Sequence, residues 1–134
     1  MKSFNRRAAI IGAGAAAALS GFTEARAQQG VTHPSNKGGV QQKRLGEGKS
    51  NIPGYKSVLV VELVVQPGAT YSGKMTAPMI CQVMQGSLEV TQDQGGGTFT
   101  ADKDHVWTCN TSQTENGINK GNTVAIKRSV ILMA

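Results

Sequence analysis

The chain has 134 residues, 14 Lys+Arg against 8 Asp+Glu, two Cys, 17 Gly and 4% aromatic residues, a size that supports a single domain. Glycine without a three-residue period excludes collagen, the absence of heptads excludes a coiled coil, and two cysteines are too few for a disulfide-built mini-protein. The net charge of +6 would fit a nucleic-acid binder only if it lay on one folded face.

Residues 1–27 read as a cleavable export signal, with basic Lys2, Arg6 and Arg7, an Ala/Gly-rich run from Ala8 to Gly21, and Ala25-Arg26-Ala27 ahead of Gln28. The apolar run is shorter than the roughly 20 residues that cross a bilayer, so no stable membrane anchor is expected. Adjacent Arg6-Arg7 and basic Arg26 resemble a twin-arginine signal, the route for proteins exported already folded. A general secretory signal is the alternative. Cleavage between Ala27 and Gln28 would place the mature chain in the periplasm or outside a bacterial cell.

Residues 28–56 are rich in Gly, Gln, Lys and Asn and poor in apolar side chains, which predicts a flexible basic arm, although Val40 to Leu45 has the composition of an edge strand. From residue 57 to 134 the periodicity becomes two, with turn signals every 8 to 12 residues, the pattern of an all-β barrel or sandwich. Ser57 to Val65 places Leu59, Val61, Leu63 and Val65 on one face and ends at Pro67-Gly68. Pro78 to Met84 and Ser87 to Gln92 read as two strands joined in a tight hairpin at Gln85-Gly86. Gly95-Gly96-Gly97 is a hairpin tip leading to Thr98–Ala101; Val106 to Asn110 is a further strand, and Thr111 to Asn122 is polar enough to read as a loop. Thr123 to Met133 closes the domain with Val124, Ile126, Val130 and Leu132 in phase. Arg128 shares that phase, implying a bulge or a charge admitted to the interior.

The charge divides by segment. Four basic residues and one acid lie in 1–27, five and one in 28–56, and five and six in 57–134. The domain is close to neutral, so nucleic acid is not an expected partner.

Strand, Pro67-Gly68, Gln85-Gly86-Ser87-Leu88-Glu89-Val90, a Gly-rich loop, Phe99-Thr100-Ala101, Asp104, strand, and Asn119-Lys120-Gly121 before a terminal strand form an order that resembles the small single-domain cupins. The resemblance spans about Val58 to Leu132 and implies a jelly-roll barrel of antiparallel strands, with a homodimer as a further implication. In that family one glycine-bounded motif carries two histidines and a glutamate, a second carries a third histidine ahead of an asparagine, and the four bind one metal ion. Gly68 and Gly86 fit the bounding glycines, over an interval one or two residues too short. Lys74 and Thr76 then stand where the two histidines would be, Met79 where the glutamate would be, and Glu115, counted back from Asn119, where the third histidine would be. None of the four ligands is kept. The family's metal and the activities that depend on it do not carry over.

Lys74, Thr76, Met79, Cys81 and Glu115 are therefore the candidates for lining a pocket, with Lys74 and Glu115 able to orient a small polar ligand or to pair with each other. Met79 and Cys81 share a strand face, and Cys109 follows His105 by four residues on the second motif's strand. Thioether, thiolate and imidazole suit copper(I) or zinc, so Met79, Cys81, His105 and Cys109 form a substitute metal site in one reading. In the others Cys81 and Cys109, on strands that adjoin one pocket in the family, form a disulfide, or they stay as two buried thiols. No nucleophile elbow or phosphate loop accompanies the serines and glycines. The expectation is an exported cupin-like module without cofactor that binds a small molecule or serves structurally; the alternative is a metal-binding protein or metal-dependent enzyme, with a divalent ion or copper at the substitute site.

Overall fold

The computed structural model describes residues 38–134; the export signal, its Ala27–Gln28 cleavage point and residues 28–37 of the arm lie outside the described residues. The described residues form nine strands, β1 (Val40–Lys49), β2 (Ser57–Val65), β3 (Thr70–Lys74), β4 (Met79–Gln85), β5 (Leu88–Gln92), β6 (Gly97–Ala101), β7 (Val106–Cys109), β8 (Thr114–Ile118) and β9 (Ala125–Met133). They pair antiparallel into a five-stranded sheet, β1-β2-β9-β4-β7, and a four-stranded sheet, β3-β8-β5-β6. Each strand has one face toward the core, because a period-two apolar pattern can bury only one set of its side chains. That core holds Leu59, Val61, Leu63 and Val65 from β2, Met79, Cys81 and Val83 from β4, and Leu88 and Val90 from β5, with Tyr71, Trp107 and Ile131 between them.

The strands with clean alternation stand where their sequence puts them. Five other expectations need correction. Residues 40–49, assigned to the flexible arm, form β1 and pair along the whole of β2, so the edge-strand option holds and runs on to Lys49. Its apolar content is low because an edge strand is held by its backbone ladder; a register shift between Arg44 and Gly46 breaks its outer edge. The stretch between Gly68 and Pro78, where the sequence pattern assigns no strand, contains β3.

The polar segment read as a loop contains β8, the strand between β3 and β5. Its Glu115 and Gly117 defeat a composition-based reading, yet both are required. A Cβ on Gly117 would stand 2.1–2.5 Å from the ring atoms of Tyr71, so only glycine lets that ring lie over the sheet. Gln85-Gly86 is a corner and not a hairpin, since β4 belongs to one sheet and β5 to the other. Gly86 turns it at φ +72°, where a Cβ would stand 2.7 Å from the Val124 carbonyl oxygen.

The phase of β9 is also reversed. Ile126, Arg128, Val130 and Leu132 occupy its half-buried outer face, while Ala125, Lys127, Ser129 and Ile131 are buried. Arg128 sits opposite Glu62 on β2 and pairs with it at 2.7 Å. The charge admitted to the interior is Lys127.

Gly117→Ala tests the packing that makes β8 a strand. Forcing a methyl group against Tyr71 should destabilise the domain by about 1–3 kcal/mol. A lowered urea midpoint with an unchanged far-UV spectrum is the expected result.

Candidate functional site

Alternation along β8 turns Glu115 inward, beside Gly73 on β3 and opposite Gln92 on β5. From the facing sheet come Lys127 on β9, Cys81 on β4, and Trp107 and Cys109 on β7. The Lys127 ammonium pairs with Glu115 Oε1, and the two side chains are 1% and 0% exposed. The Tyr71 hydroxyl donates to the same oxygen at 2.8 Å. The other oxygen, Oε2, accepts from Trp107 Nε1 at 2.8 Å, from the Cys109 thiol at 2.8 Å and from Gln92 Nε2 at 3.0 Å. An ionised carboxylate offers about four lone-pair sites, so this one is saturated by protein donors.

Lys127 is compensated on its other side by aromatic faces, its Nζ lying 4.8 Å from the centroid of Tyr71 and 5.7 Å from that of Trp107. Burial alone would push the Glu115 carboxyl up, but Lys127 and the hydrogen bonds from Cys109 and Trp107 outweigh it and hold the group at about 2. Burial works against the Lys127 ammonium, yet its neighbours Cys81, Glu115 and Tyr71 raise it well above its ordinary value. Both groups stay charged at neutral pH.

The thiols adjoin this pair. Cys81 is 0% and Cys109 2% exposed, and both are free. Cys81 Sγ lies 3.5 Å from the Ser129 hydroxyl. Hydrogen bonding with Cys81, reinforced by burial, raises the Cys109 thiol and keeps it protonated. Cys81, Cys109 and Glu115 each place one ligand atom within 4.8 Å of the others.

Of the residues singled out in the sequence, Met79, Cys81, Cys109 and Glu115 share the interior. Lys74 and Thr76 do not. Both are exposed, one position out of phase with buried Met75 and Ala77, so Glu115 finds its cation in Lys127 and not in Lys74. His105 precedes β7 and is exposed, its ring stacked on Phe99 at 5.5 Å; it stands apart from the carboxylate–thiol cluster. Sequence reasoning missed Lys127, Tyr71 and Gln92. The signal for Lys127 was its phase with Ala125, Ser129 and Ile131.

A second feature lies on the opposite, solvent-facing side of the four-stranded sheet. An open depression of about 310 Å³ is lined there by Thr70, Ser72, Glu89, Thr91, Asn116 and Ile118, with backbone of Gly117. Hydroxyl, amide and carboxylate groups converge there around one apolar side chain.

No protein-family model and no curated protein matches the chain. Solved structures do. A double-stranded β-helix protein from Klebsiella pneumoniae is 21% identical with a TM-score of 0.58, covering 74% of this chain and 80% of its own. The Cupin_2 domain of an XRE-family transcriptional regulator from Enterobacter cloacae is 16% identical with a TM-score of 0.58, covering 72% and 99%. An RmlC-like cupin from Shewanella frigidimarina is 16% identical with a TM-score of 0.57, covering 80% and 86%. The chain has the cupin fold.

Within that fold the family's ion does not fit this interior. Two of its four ligand positions, Lys74 and Thr76, face solvent, a third is the thioether of Met79, and of the fourth, Glu115, Oε1 is committed to Lys127. The cupin barrel of this chain carries an ammonium in its interior.

Breaking the pair from one side leaves a buried charge without its partner, so Glu115→Gln and Lys127→Met should each cost about 3–5 kcal/mol. The double variant should cost clearly less than the two together, as read from urea unfolding in a double-mutant cycle. The pH dependence has a definite sign. Glu115, held at about 2 against an ordinary 4.5, contributes stability that is complete above 4.5 and lost as pH falls through about 2. Lys127, raised, contributes stability present below its ordinary 10.5 and lost as pH rises through its raised value. Unfolding midpoints should be flat between these limits and fall on the acid side, with the double variant losing much of the acid dependence.

Proposed function

We propose that this chain is an exported, non-catalytic cupin-like module that holds a small, neutral, polyhydroxylated molecule on the open face of its four-stranded sheet. The observation that carries the non-catalytic part is the saturated Glu115 carboxylate and its buried partner Lys127. A catalytic metal site keeps an open coordination position for substrate or water. Here the corresponding carboxylate has each lone pair occupied and the cation is covalently part of the chain, which supports a fixed, load-carrying interior.

The ligand reading rests on the depression over Gly117. Thr70, Ser72 and Thr91 supply hydroxyls that both donate and accept, Asn116 supplies an amide, and Ile118 an apolar contact. That mixture matches a sugar or polyol, whose hydroxyls need donors and acceptors and whose C–H face needs an apolar surface. Glu89 is already paired with Lys120 at 2.8 Å, so the site does not call for a cationic ligand. The export signal and a homodimer stand beside this as parts of the same reading, supported by the tripartite sequence of residues 1–27 and by the family resemblance respectively.

Differential scanning fluorimetry against a panel of neutral sugars, polyols and small carboxylic acids tests the proposal. At a concentration of 100 Kd a neutral polyol should stabilise by about 2.7 kcal/mol, visible as a saturable rise in Tm. Asn116→Ala and Ser72→Ala, both on the open face, should abolish the rise without lowering the unliganded Tm. A panel without any response, or a response confined to the acids, overturns it.

A further inference from the structure

We infer that Cys81, Cys109 and Glu115 form a closed structural site for a borderline-soft divalent cation of the zinc class. The open face of the four-stranded sheet does not enter this site, so it stands independently of the polyol reading; of the family's ligand positions it uses one, that of Glu115.

The donor set comes first. Two sulfurs and one carboxylate oxygen lie within 4.8 Å of one another, all on buried residues. Bonds of about 2.3 Å to sulfur and 2.0–2.2 Å to oxygen put donors on one zinc ion roughly 3.5 Å apart or more; Cys109 Sγ and Glu115 Oε2, held at 2.8 Å by the thiol hydrogen bond, must part by under about 1 Å when an ion replaces that proton. The residue that supplies a fourth donor is already in place. The Gln92 side-chain Nε2 lies 3.1 Å from Cys109 Sγ and 3.0 Å from Glu115 Oε2, and turning the amide over presents Oε1 there at the cost of the hydrogen bond that Nε2 gives the Thr108 carbonyl at 3.1 Å.

Register argues for an ion over a disulfide. Met79 is opposite Cys109 and Cys81 is opposite Trp107, so the two cysteines are diagonal neighbours across β4 and β7. Diagonal positions on antiparallel strands are about 7–8 Å apart, beyond the roughly 4.4–6.8 Å that a disulfide spans between Cα atoms. A bridging ion needs no such approach.

Charge balance selects the cation. Glu115 and Lys127 cancel each other, so the balance turns on the two sulfurs and the ion. In the loaded site each sulfur is a thiolate bonded to the metal, any proton it carried having passed to solvent, so two negative charges face the two positive ones of a divalent ion. The interior stays neutral, whereas copper(I) would leave one uncompensated negative charge in a buried site. Glu115 Oε2 exchanges its hydrogen bond from the Cys109 thiol for a bond to the ion, and Oε1 keeps Tyr71 and Lys127. Access is at the end of the five-stranded sheet, where Cys109 borders an open depression of about 300 Å³ with Met79, Thr108 and Asn110.

The experiment uses reduced, chelator-treated full chain and cobalt(II) as the spectroscopic stand-in for zinc. The expected result is one cobalt per chain with an intense thiolate-to-metal charge-transfer band, bleached by one equivalent of zinc, and at least one proton, that of the Cys109 thiol, released per zinc in weakly buffered solution. Cys81→Ser and Cys109→Ser should each lose the band. Cobalt without the band, zinc bound without proton release, or equal binding in both variants means an adventitious ion only and overturns the site. So does an exported protein in which the two cysteines are already oxidised to each other. The proton count in the unaltered chain decides the matter even if a serine variant fails to fold, and none of these outcomes changes the sugar response.

Discussion

The buried pair of Lys127 and Glu115 is the constraint around which the barrel is arranged. An unpaired charge in an apolar interior is costly enough that everything within reach must serve it. Tyr71, Trp107, Gln92 and the Cys109 thiol each give a hydrogen bond to one carboxylate, and the rings of Tyr71 and Trp107 face the ammonium. These groups come from five strands in both sheets. The pair therefore ties the two layers together at a place where a purely apolar core would only pack them.

Backbone features that look unfavourable one at a time follow from that arrangement. Gly117 gives up strand propensity so that the Tyr71 ring can lie flat over β8 with its hydroxyl on Glu115. Gly73, the cross-strand neighbour of Glu115 on β3, has no side chain to compete for the same interior space. Asn119 ends β8 by donating its side-chain amide to the carbonyl oxygens of Val65 and Thr123, closing the loop into β9 on the side where Lys127 enters. Loop, strand and charge are positioned together.

The relation to other cupins is one of shared architecture with changed contents. The fold brings inward-facing side chains from both sheets to one interior position. Glu115 occupies the place that the family resemblance assigns to a ligand, and it faces the interior as that resemblance implies. What it meets there is an ammonium from the same chain. A fixed ammonium can neutralise a carboxylate but cannot polarise a bound substrate with an empty coordination site, which is why the fold alone does not transmit the activity.

The all-β class, the alternating strands β2, β5 and β6, the near-neutral charge of the domain and the shared face of Met79 and Cys81 could be read from the sequence, because period-two burial is a local property of the chain; Cys109 and Glu115 joined that interior only through the family resemblance. Three things were not local. The strand β8 holds polar and small residues because its neighbours β3 and β5 supply its hydrogen bonds, so composition gives no warning of it. The Gln85-Gly86 turn looks like a hairpin until the partners of β4 and β5 are known. In β9 both faces carry apolar residues, and only the ladder with Glu62 decides that Arg128 stays outside and Lys127 goes in. A strand's alternation defines two faces; which one is the inside is decided by the sheet it joins.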